Sequence, residues 1–506
     1  MQSQPMKVAI HWLPRILAMM AAVYFIVLYL ATALPRLVYP YDLDFLEDSV
    51  LMESLRFANN QPVYIPPNVF FNPHVYTPLF FWLGGLLFKL GGPSLLLLRS
   101  LSLTSTIATT IAIYWVAKRE SRRLWIAFSC AGLFLGGYGI SGFWYELARV
   151  DPLFVTLTLC GLALAVYANG STRTIILSAV VLALATFTKQ TGFVIGAGMA
   201  VYLFIWNRWQ GILFAAVFGV LTVIPVFAMN LFTNGWFFYH VIHIGSADPI
   251  EMSRLVSFIK DKLFGVMAGL SLMTIFGILL GFRRTGINVL REQPWFYGIG
   301  LAILISAMGR IRVGGNLNDL MPAYTLLCIA PALLMHNAEI QISPPGKIGE
   351  GKWGDWHEWL IAALILIQFA LGAYSPVPYI LPTRAMRQSG DRLIQRIASI
   401  NGPVFVMMHP YYTLLAGKDP STQIATLWYV RDRGALPLTN DIVERIKSKY
   451  YSAIISDESF FEIQPDLHAL ITANYFPAQT LDISQAPFTN TGVVVRPSLV
   501  YLPDHP

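Results

Sequence analysis

The chain has 506 residues, of which 55% are hydrophobic and only 12% are charged, and its mean hydropathy is +0.56. Soluble domains carry about 25% charged residues, so these few charges exclude a water-soluble enzyme of this size and a disordered chain. The net charge of +7 is typical of basic cytoplasmic loops rather than of nucleic-acid binding. We therefore expect a multi-pass protein of the lipid bilayer with no nucleic-acid partner.

The apolar segments predict eleven transmembrane helices, because a span needs about 20 apolar residues. The predicted spans cover residues 16–34, 94–117, 124–145, 152–168, 174–187, 192–206, 211–230, 263–281, 295–308, 320–336 and 359–374. The segment 78–92 is also apolar, but it has only fifteen residues and contains Lys89. We expect this segment to lie in the outer interface or to re-enter the membrane without crossing it.

The basic loop from Lys118 to Arg123 sets the predicted orientation. It contains the densest cluster of positive charge in the chain. Because basic loops stay on the cytoplasmic side, this loop and the N-terminus are predicted to be cytoplasmic. Eleven spans then place the C-terminus on the outer face of the plasma (inner) membrane.

The chain changes character after residue 375. Prolines at Pro376, Pro378 and Pro382 are typical of a linker. The patterns that follow predict helices at 384–399 and 440–449 and strands at 403–408, 451–455 and 492–495. We therefore expect an all-α polytopic membrane domain at residues 1–375, followed by a small soluble α/β domain at residues 376–506 on the outer face.

The first predicted outer loop contains four carboxylates within seven residues, Asp42, Asp44, Glu47 and Asp48. Clustered carboxylates repel one another, so at least one pKa should rise unless a cation or a metal compensates. Capping of a helix predicted at 50–60 by Asp48 or Ser49, with Glu47 favouring its dipole, explains one or two of the four. Glu47 or Asp44 is left as a candidate for acid–base chemistry.

Later outer loops add cations to the same face. Arg149 and Asp151 form either an interfacial salt bridge or part of a site for a general base or a metal. Lys189, at the outer end of a span, either snorkels toward water or contacts a phosphate. Arg312 lies in a loop with two glycines and Asn316, which suits phosphate binding but also an ordinary polar loop.

Two histidines, His240 and His243, lie three residues apart near Asp248. One helical turn could bring both imidazoles to one metal ion, but no third ligand is evident. The three cysteines lie in apolar runs without a CxxC spacing, so we expect neither a disulfide framework nor a thiolate zinc site.

Taken in order, these loops resemble polytopic GT-C glycosyltransferases of the protein-mannosyltransferase and aminoarabinose-transferase kind. The resemblance covers roughly residues 1–335, and the C-terminal region is not part of it. It rests on the acidic first loop and on Asn60-Gln61-Pro62-Val63-Tyr64, Tyr76-Thr77-Pro78-Leu79, Arg149-Val150-Asp151, Lys189-Gln190 and Gly314-Gly315-Asn316. One departure is that Tyr76 and Thr77 stand where the family has a lysine before its prolines.

The resemblance implies a reaction and a set of roles. A sugar would pass from a polyprenyl-phosphate donor to an acceptor hydroxyl of an envelope glycan, lipid or protein, with inversion. Glu47 would take the acceptor proton, with Asp44 as its rival and Asp151 as a further catalytic residue. A divalent metal ion held by Asp151 is optional. Implied donor-phosphate ligands are Lys189, Arg149, Arg312 and His74, and implied substrate-binding residues are Tyr64, Tyr76, Gln190 and Asn316.

Two other functions are compatible with a polytopic chain. A transporter or flippase of a lipid-linked saccharide should place ionisable residues near mid-membrane and contain repeats, whereas the predicted spans are nearly free of charge and no repeat is found. A sensor with an outer ligand-binding domain leaves the acidic loops unexplained. The sequence therefore favours the enzyme.

Overall fold

The computed structural model describes residues 4–342, 356–375, 380–457 and 464–504. Pro376 and Pro378 of the predicted linker lie outside the described residues. Two π-helical segments occur at Phe238–Ile244 and Phe258–Val266, and two 3₁₀ turns at Gly286–Asn288 and Leu317–Leu320. The α-helices, in chain order, are α1 (Gln4–Leu37), α2 (Leu46–Ala58), α3 (Leu79–Gly91), α4 (Leu95–Ser121), α5 (Leu124–Gly136), α6 (Val150–Val166), α7 (Thr172–Thr188), α8 (Gly192–Trp206), α9 (Arg208–Phe232), α10 (Met252–Ser257), α11 (Ala268–Thr285), α12 (Val289–Glu292), α13 (Trp295–Arg310), α14 (Met321–Leu327), α15 (Ala330–Ile342), α16 (Trp356–Gly372), α17 (Arg384–Ser399), α18 (Pro410–Leu415), α19 (Ile424–Asp432), α20 (Asn440–Lys447) and α21 (Pro465–Thr472).

The apolar helices make the chain a multi-pass membrane protein. In the described part of the chain, seven shorter apolar helices, α3, α5, α6, α7, α8, α13 and α16, accompany the longer ones. The predicted count of eleven spans stays a prediction, because six of the eleven correspond to these shorter helices. The segments long and apolar enough to cross a bilayer are Trp12–Leu37, Leu95–Ser121, Arg208–Phe232, Ala268–Glu292 and Leu317–Ile340.

Helix α5 is shorter than the predicted span at 124–145. It ends at Gly136, and turns follow up to α6. A Cβ atom at Gly137 would lie 1.8 Å from the Tyr324 ring, so the chain needs a glycine there for close packing. Paired glycines also weaken a helix by about 1 kcal/mol each. The predicted end at residue 145 is therefore wrong.

Ion pairs mark two opposite ends of the helical bundle. At one end Arg123 lies 2.7 Å from Glu339, and Arg15 pairs with Glu358. At the other end of α1, Arg36 pairs with Glu146 in the loop that precedes α6. The start of α1 and the turn before α5 therefore share one end, and the acidic loops lie at the other. Which end faces the cytoplasm stays a prediction.

Helix α3 begins at the acidic end of the bundle, and the helix that follows it, α4, begins there too, because Arg99 near its start pairs with Glu47. The 13 residues of α3 extend about 20 Å, against about 30 Å for the hydrocarbon core. Just before it, the Thr77 hydroxyl donates to the carbonyl of Thr186 near the end of α7. Helix α2 packs closely against α3, because a Cβ atom at Gly85 would meet the α2 backbone at Ser54 and Ala58, 2.9 Å from each.

A four-stranded mixed sheet lies in the C-terminal region. Its strands are β1 (Val404–Val406), β2 (Ala453–Asp457), β3 (Tyr475–Thr480) and β4 (Pro497–Pro503), in the spatial order β1-β2-β4-β3. Strands β1 and β2 are parallel, and β4 is antiparallel to both of its neighbours. The predicted strand at 492–495 is wrong, because Gly492 has a φ of +70° and the Thr489 side chain closes a loop by bonding Val493 and Val495.

The C-terminal region packs directly on the first outer loop. The carbonyl of Leu43 accepts the backbone N–H groups of Asn490 and Thr491, at 3.0 and 2.9 Å. The Gln423 side chain donates to the carbonyl of Phe45 at 2.5 Å. The first loop therefore lies between the membrane helices and the sheet. The predicted domain boundary at residue 375 stays a prediction.

Candidate active site

Glu47 is buried in an ion pair with Arg99 of α4. The two side chains form parallel hydrogen bonds of 2.8 and 2.6 Å, and both are fully buried. The backbone N–H groups of Leu43 and Ala148 also donate to Glu47, each at 2.8 Å. Four donors occupy the carboxylate, and this geometry favours a structural role for Glu47. Its role as proton acceptor stays a prediction.

Two buried arginines hold the outer loops in place. Arg99 donates to the carbonyls of Arg36, Tyr39 and Tyr41 at 2.6–2.9 Å. Arg36 bonds Glu146 at 2.5 Å and the hydroxyl of Thr491 at 2.8 Å. Sequence analysis missed both, because each is one charge at the end of a long apolar segment.

Asp44, Arg149, Asp151, Lys189 and Asp319 form one connected group, hereafter the carboxylate–cation cluster. Arg149 Nη1 lies 3.2 Å from Asp44 Oδ1, and Arg149 Nε lies 3.9 Å from Asp151 Oδ2. Lys189 Nζ donates to Asp151 Oδ1 at 2.8 Å and to Asp319 Oδ1 at 3.0 Å. Four predicted outer loops therefore meet, and the last of them contributes Asp319, a residue that sequence analysis did not nominate.

The fold of α6 and α7 explains why these side chains meet. The two helices are antiparallel and packed together, so the start of α6 lies beside the end of α7. Asp151 is in the first turn of α6, where the helix dipole favours a negative charge. Lys189 follows α7 in extended backbone. The antiparallel packing of α6 and α7 therefore brings Asp151 and Lys189 together.

Asp44 lies at the start of α2. Its Oδ1 accepts the N–H of Leu46 at 2.8 Å, and its Oδ2 accepts the Trp144 indole N–H at 2.6 Å. Helix α2 begins at Leu46, so the predicted capping by Asp48 is wrong, because Asp48 is already in the first turn. Burial raises the pKa of Asp44, and the charge of Arg149 opposes that rise.

Several polar atoms in and beside the carboxylate–cation cluster have no hydrogen-bond partner. Among the described residues, Arg149 Nε, Asp151 Oδ2 and both ring nitrogens of His74 are buried without a hydrogen-bond partner. His74 stacks on Tyr76 at 4.7 Å, and Tyr429 of α19 lies 6.4 Å away. Buried polar groups are normally satisfied, so these atoms are free for a bound molecule or for water.

Electrostatics divides this site into neutral and charged parts. Burial, followed by the charge of Arg149, lowers the pKa of His74 to about 3, so its imidazole is neutral. Burial also lowers the pKa of Lys189, but the carboxylates of Asp151 and Asp319 outweigh it and leave the pKa raised. Lys189 is therefore a permanent cation, 5.9 Å from the Tyr76 ring.

Two of the predicted substrate-binding residues support the segment that carries Tyr76. The hydroxyl of Tyr64 donates to the carbonyl of Tyr76 at 2.9 Å. The side-chain amide of Gln190 donates to the carbonyl of Val75 at 3.2 Å. Tyr64 and Gln190 thus act on the backbone behind the site, while Tyr76 itself faces Lys189 and His74.

Arg312 and Asn316 lie outside the carboxylate–cation cluster. Arg312 Nη1 donates to the carbonyl of Ser246 at 2.6 Å. Asn316 is exposed, and its side chain caps the 3₁₀ turn that carries Asp319. The structure therefore does not bring either side chain to the predicted phosphate or substrate position.

Metal-type ligands converge at a different place from the predicted one. In the described ranges, the one group of three such ligands is Asp42, Asp48 and His409. At Asp151, Lys189 and Asn318 donate to Oδ1, which leaves Oδ2 without a hydrogen-bond partner. A metal held by Asp151 stays a prediction.

The predicted histidine pair does not form a metal site. His240 is buried and its ring bonds the carbonyl of Ile65 at 2.9 Å. His243 is exposed, and Asp248 pairs with Arg433 at 2.9 Å. The π-helical backbone between the two histidines turns their imidazoles to different surroundings.

No protein-family model and no curated protein sequence matches the chain. Its structure is similar to that of ArnT from Cupriavidus metallidurans in the apo state, with a TM-score of 0.58 and 13% identity over 95% of this chain and 97% of ArnT. The chain has the GT-C fold. ArnT bound to undecaprenyl phosphate gives a TM-score of 0.58 at 13% identity, over 94% of this chain and 97% of ArnT.

A second GT-C glycosyltransferase supports the fold. The apo oligosaccharyltransferase of Archaeoglobus fulgidus matches with a TM-score of 0.52 and 11% identity, over 91% of this chain and 71% of that protein. The resemblance that the sequence predicted is therefore confirmed for the fold.

Proposed function

We propose that the chain is a membrane glycosyltransferase that moves a sugar from a polyprenyl-phosphate donor to an acceptor hydroxyl on the outer face of the membrane, with inversion. The observation that carries the proposal is the carboxylate–cation cluster, with unpartnered polar atoms beside it at the ends of α6 and α7. ArnT of the same fold binds undecaprenyl phosphate, which supports a donor of that chemistry.

Lys189 and Arg149 are the proposed ligands of the donor phosphate. Arg149 Nε has no hydrogen-bond partner, and the permanent charge of Lys189 lies at the end of α7, joined to Arg149 through Asp151. His74 is neutral and can donate one ring N–H to a phosphate oxygen. Positive charge placed where the phosphate leaves stabilises the transition state and is worth roughly 10²–10³-fold in rate.

Asp44 is the proposed base. Of the two first-loop carboxylates that the sequence left open, Asp44 contacts Arg149 of the cluster, whereas Glu47 is occupied by Arg99. The acceptor oxygen attacks the anomeric carbon, its proton passes to Asp44, and the bond from that carbon to the phosphate oxygen breaks. A single displacement of this kind inverts the anomeric carbon, and the phosphate leaves with its charge held by Arg149 and Lys189.

The proposed orientation follows the predicted one. The N-terminus is cytoplasmic, and the carboxylate–cation cluster and the C-terminal region lie on the outer face. The ring of Tyr429 beside His74 is the contribution of the C-terminal region, and we assign that region to acceptor recruitment. The acceptor is an envelope glycan, a lipid or a protein.

Mass spectrometry of glycolipids and envelope glycans from a deletion strain tests this function. The deletion strain should lack one sugar, wild-type protein should restore it, and Asp44→Asn should not. Asp261→Asn, in an exposed outer segment, is the matched control and should restore the sugar. An unchanged glycan profile in the deletion strain would overturn sugar transfer.

The distribution of charge argues against the transporter alternative. In the described membrane helices, ionisable side chains lie near helix ends, such as Arg99 in α4 and Asp151 in α6. A transporter of a charged lipid should need such groups at mid-depth. Accumulation of an intact sugar-loaded carrier in the inner leaflet of the deletion strain would favour the transporter instead.

A further inference from the structure

Three buried side chains converge between the first outer loop and the C-terminal region. Asp42 precedes α2, Asp48 is in the first turn of α2, and His409 precedes α18. The three are at most 1% exposed, and each offers one ligand-type atom within 4.8 Å of the other two. This group is separate from the carboxylate–cation cluster, because Asp42 and Asp48 face the sheet and not the membrane helices.

The second polar atom of each side chain is already occupied. The Tyr412 hydroxyl donates to Asp42 Oδ1, and the backbone N–H of Tyr411 donates to Asp48 Oδ2 at 3.3 Å. Of the other two oxygens, Asp42 Oδ2 contacts His409 Nδ1 and Asp48 Oδ1 has no hydrogen-bond partner. Ligating carboxylates in metal sites are held by outer hydrogen bonds of this kind.

His409 has the surroundings of a metal-binding histidine. Its Nε2 lies 3.4 Å from Asp457 Oδ1, and its Nδ1 lies 2.8 Å from Asp42 Oδ2. A carboxylate on one ring nitrogen fixes the tautomer and leaves the other nitrogen for a metal. A cation about 2 Å from Nδ1 and from Asp42 Oδ2 would part these two atoms by only a few tenths of an ångström.

The charge of the group is not balanced by the chain. In the part of the protein that the structure describes, no lysine or arginine forms an ion pair with Asp42, Asp48 or Asp457, and their one basic partner is His409. Asp48 Oδ1 and Asp457 Oδ2 are buried without any hydrogen-bond partner. Burial of several carboxylates with unpartnered oxygens is costly unless a cation satisfies them.

We propose that Asp42, Asp48 and His409 bind one divalent transition-metal ion, with Asp457 positioning the imidazole. Mixed imidazole and carboxylate ligands match Zn²⁺ best and Mn²⁺ next. Mg²⁺ and Ca²⁺ prefer oxygen ligands alone, so the histidine counts against them. The ion joins the start of α2 to the segment between β1 and α18, and so fixes the C-terminal region on the loop that carries Asp44.

The test is metal analysis of the full chain, purified in detergent with a tag free of histidine and without chelators. Wild-type protein should contain about one Zn²⁺ or Mn²⁺ ion per chain by plasma mass spectrometry. Asp48→Asn and His409→Gln should each lose most of that ion. His240→Gln, which changes another buried histidine, and Asp44→Asn should keep it.

Thermal unfolding supplies a readout that needs no variant to fold. Removal of the ion from wild-type protein with EDTA should lower the unfolding midpoint by about 5–15 °C, and added Zn²⁺ or Mn²⁺ should restore it. Unfolding unaffected by EDTA, in protein without a stoichiometric ion, would overturn the site and leave His409 as a protonated bridge between Asp42 and Asp457. An ion that persists in Asp48→Asn and His409→Gln would also overturn it. Metal content is independent of sugar transfer, so the two proposals fail separately.

Discussion

The first outer loop holds neighbouring carboxylates in two different environments. Asp44 and Glu47 face the membrane helices, where the chain supplies Arg149 and Arg99 as partners. Asp42 and Asp48 face the C-terminal region, where the described residues supply no lysine or arginine partner and His409 is the one basic neighbour. The first outer loop therefore separates two interfaces, and carboxylates that are neighbours in sequence have different partners. One interface is a candidate for catalysis, and the other for a metal that holds the C-terminal region.

Glu53, in the same helix as Asp48, is a third case. It is fully buried, accepts the N–H of His74, and has one oxygen without a partner among the described residues. Burial raises the pKa of Glu53 to about 8, and the N–H of His74 opposes that rise. This part of the chain thus buries carboxylates in three ways. Some lie beside an arginine, some lie beside a histidine, and Glu53 is buried as a protonated acid.

Asp44→Asn should have the largest effect, since it removes the proposed base while keeping the side-chain volume. We expect kcat for sugar transfer to fall roughly 10²–10⁴-fold. The unfolding midpoint should fall as well, because the variant breaks the buried pair of Asp44 with Arg149, so kcat is measured on the folded protein. The measurement is transfer from a purified polyprenyl-phosphate sugar. Turnover close to that of wild type would show that Asp44 is not the base.

Glu47→Gln should act on stability. Loss of one partner of a buried ion pair leaves the charge of Arg99 uncompensated and costs about 3–5 kcal/mol. Glu251→Gln is the matched control, because Glu251 pairs with Arg254 at the surface, where a pair is worth about 0–1 kcal/mol. Thermal unfolding in detergent measures both. A Glu47→Gln protein of normal stability without transfer activity would return the role of base to Glu47.

Lys189→Met should weaken phosphate recognition. We expect kcat/KM to fall roughly 10²–10³-fold, together with weaker binding of undecaprenyl phosphate in a thermal-shift titration. Lys89→Met is the control, since Lys89 is exposed and bonds only Asn60 among the described residues. Equal effects of the two variants would exclude a specific role for the Lys189 charge.

Sequence could predict the elements that depend on local pattern. The predicted helix at 384–399 agrees with α17, because its apolar residues recur at helical spacing over its whole length. The sequence placed Arg149, Asp151 and Lys189 on outer loops of one face, and the structure brings these three side chains into contact. The GT-C fold was inferred from the order of such short motifs.

Partners that are distant in sequence could not be predicted. His409 meets Asp42 across 367 residues, and no spacing rule links them. Arg99 looked like an isolated charge within an apolar span, so its pairing with Glu47 left no sequence signal. Strand β3 was missed because it is largely exposed and lacks the apolar pattern of β2.

Glu53→Gln should show whether Glu53 is protonated in the folded protein, because its effect on stability should depend on pH. Below about pH 4.5 Glu53 is protonated in both states, and no penalty arises. Between about pH 4.5 and about pH 8, Glu53 releases its proton in the unfolded chain but keeps it in the folded chain. The free energy of unfolding therefore falls as the pH rises. Relative to wild type, Glu53→Gln should gain about 1–3 kcal/mol between pH 5.5 and pH 7.5. An equal difference at both pH values would mean that Glu53 is ionised in the fold.

Arg312→Gln should have the smallest effect and therefore tests the limits of the carboxylate–cation cluster. The Arg312 guanidinium bonds the carbonyls of Ser246 and Asp248, so it contributes to the loop and lies apart from Lys189. Loss of a partly exposed hydrogen bond costs about 0.5–1.5 kcal/mol of stability, and we expect transfer to change less than about threefold, since this bond does not touch the proposed phosphate site. Steady-state kinetics beside Lys189→Met measures the contrast. A loss as large as that of Lys189→Met would extend the phosphate site to the loop before α14, with Arg312 swinging inward when donor binds.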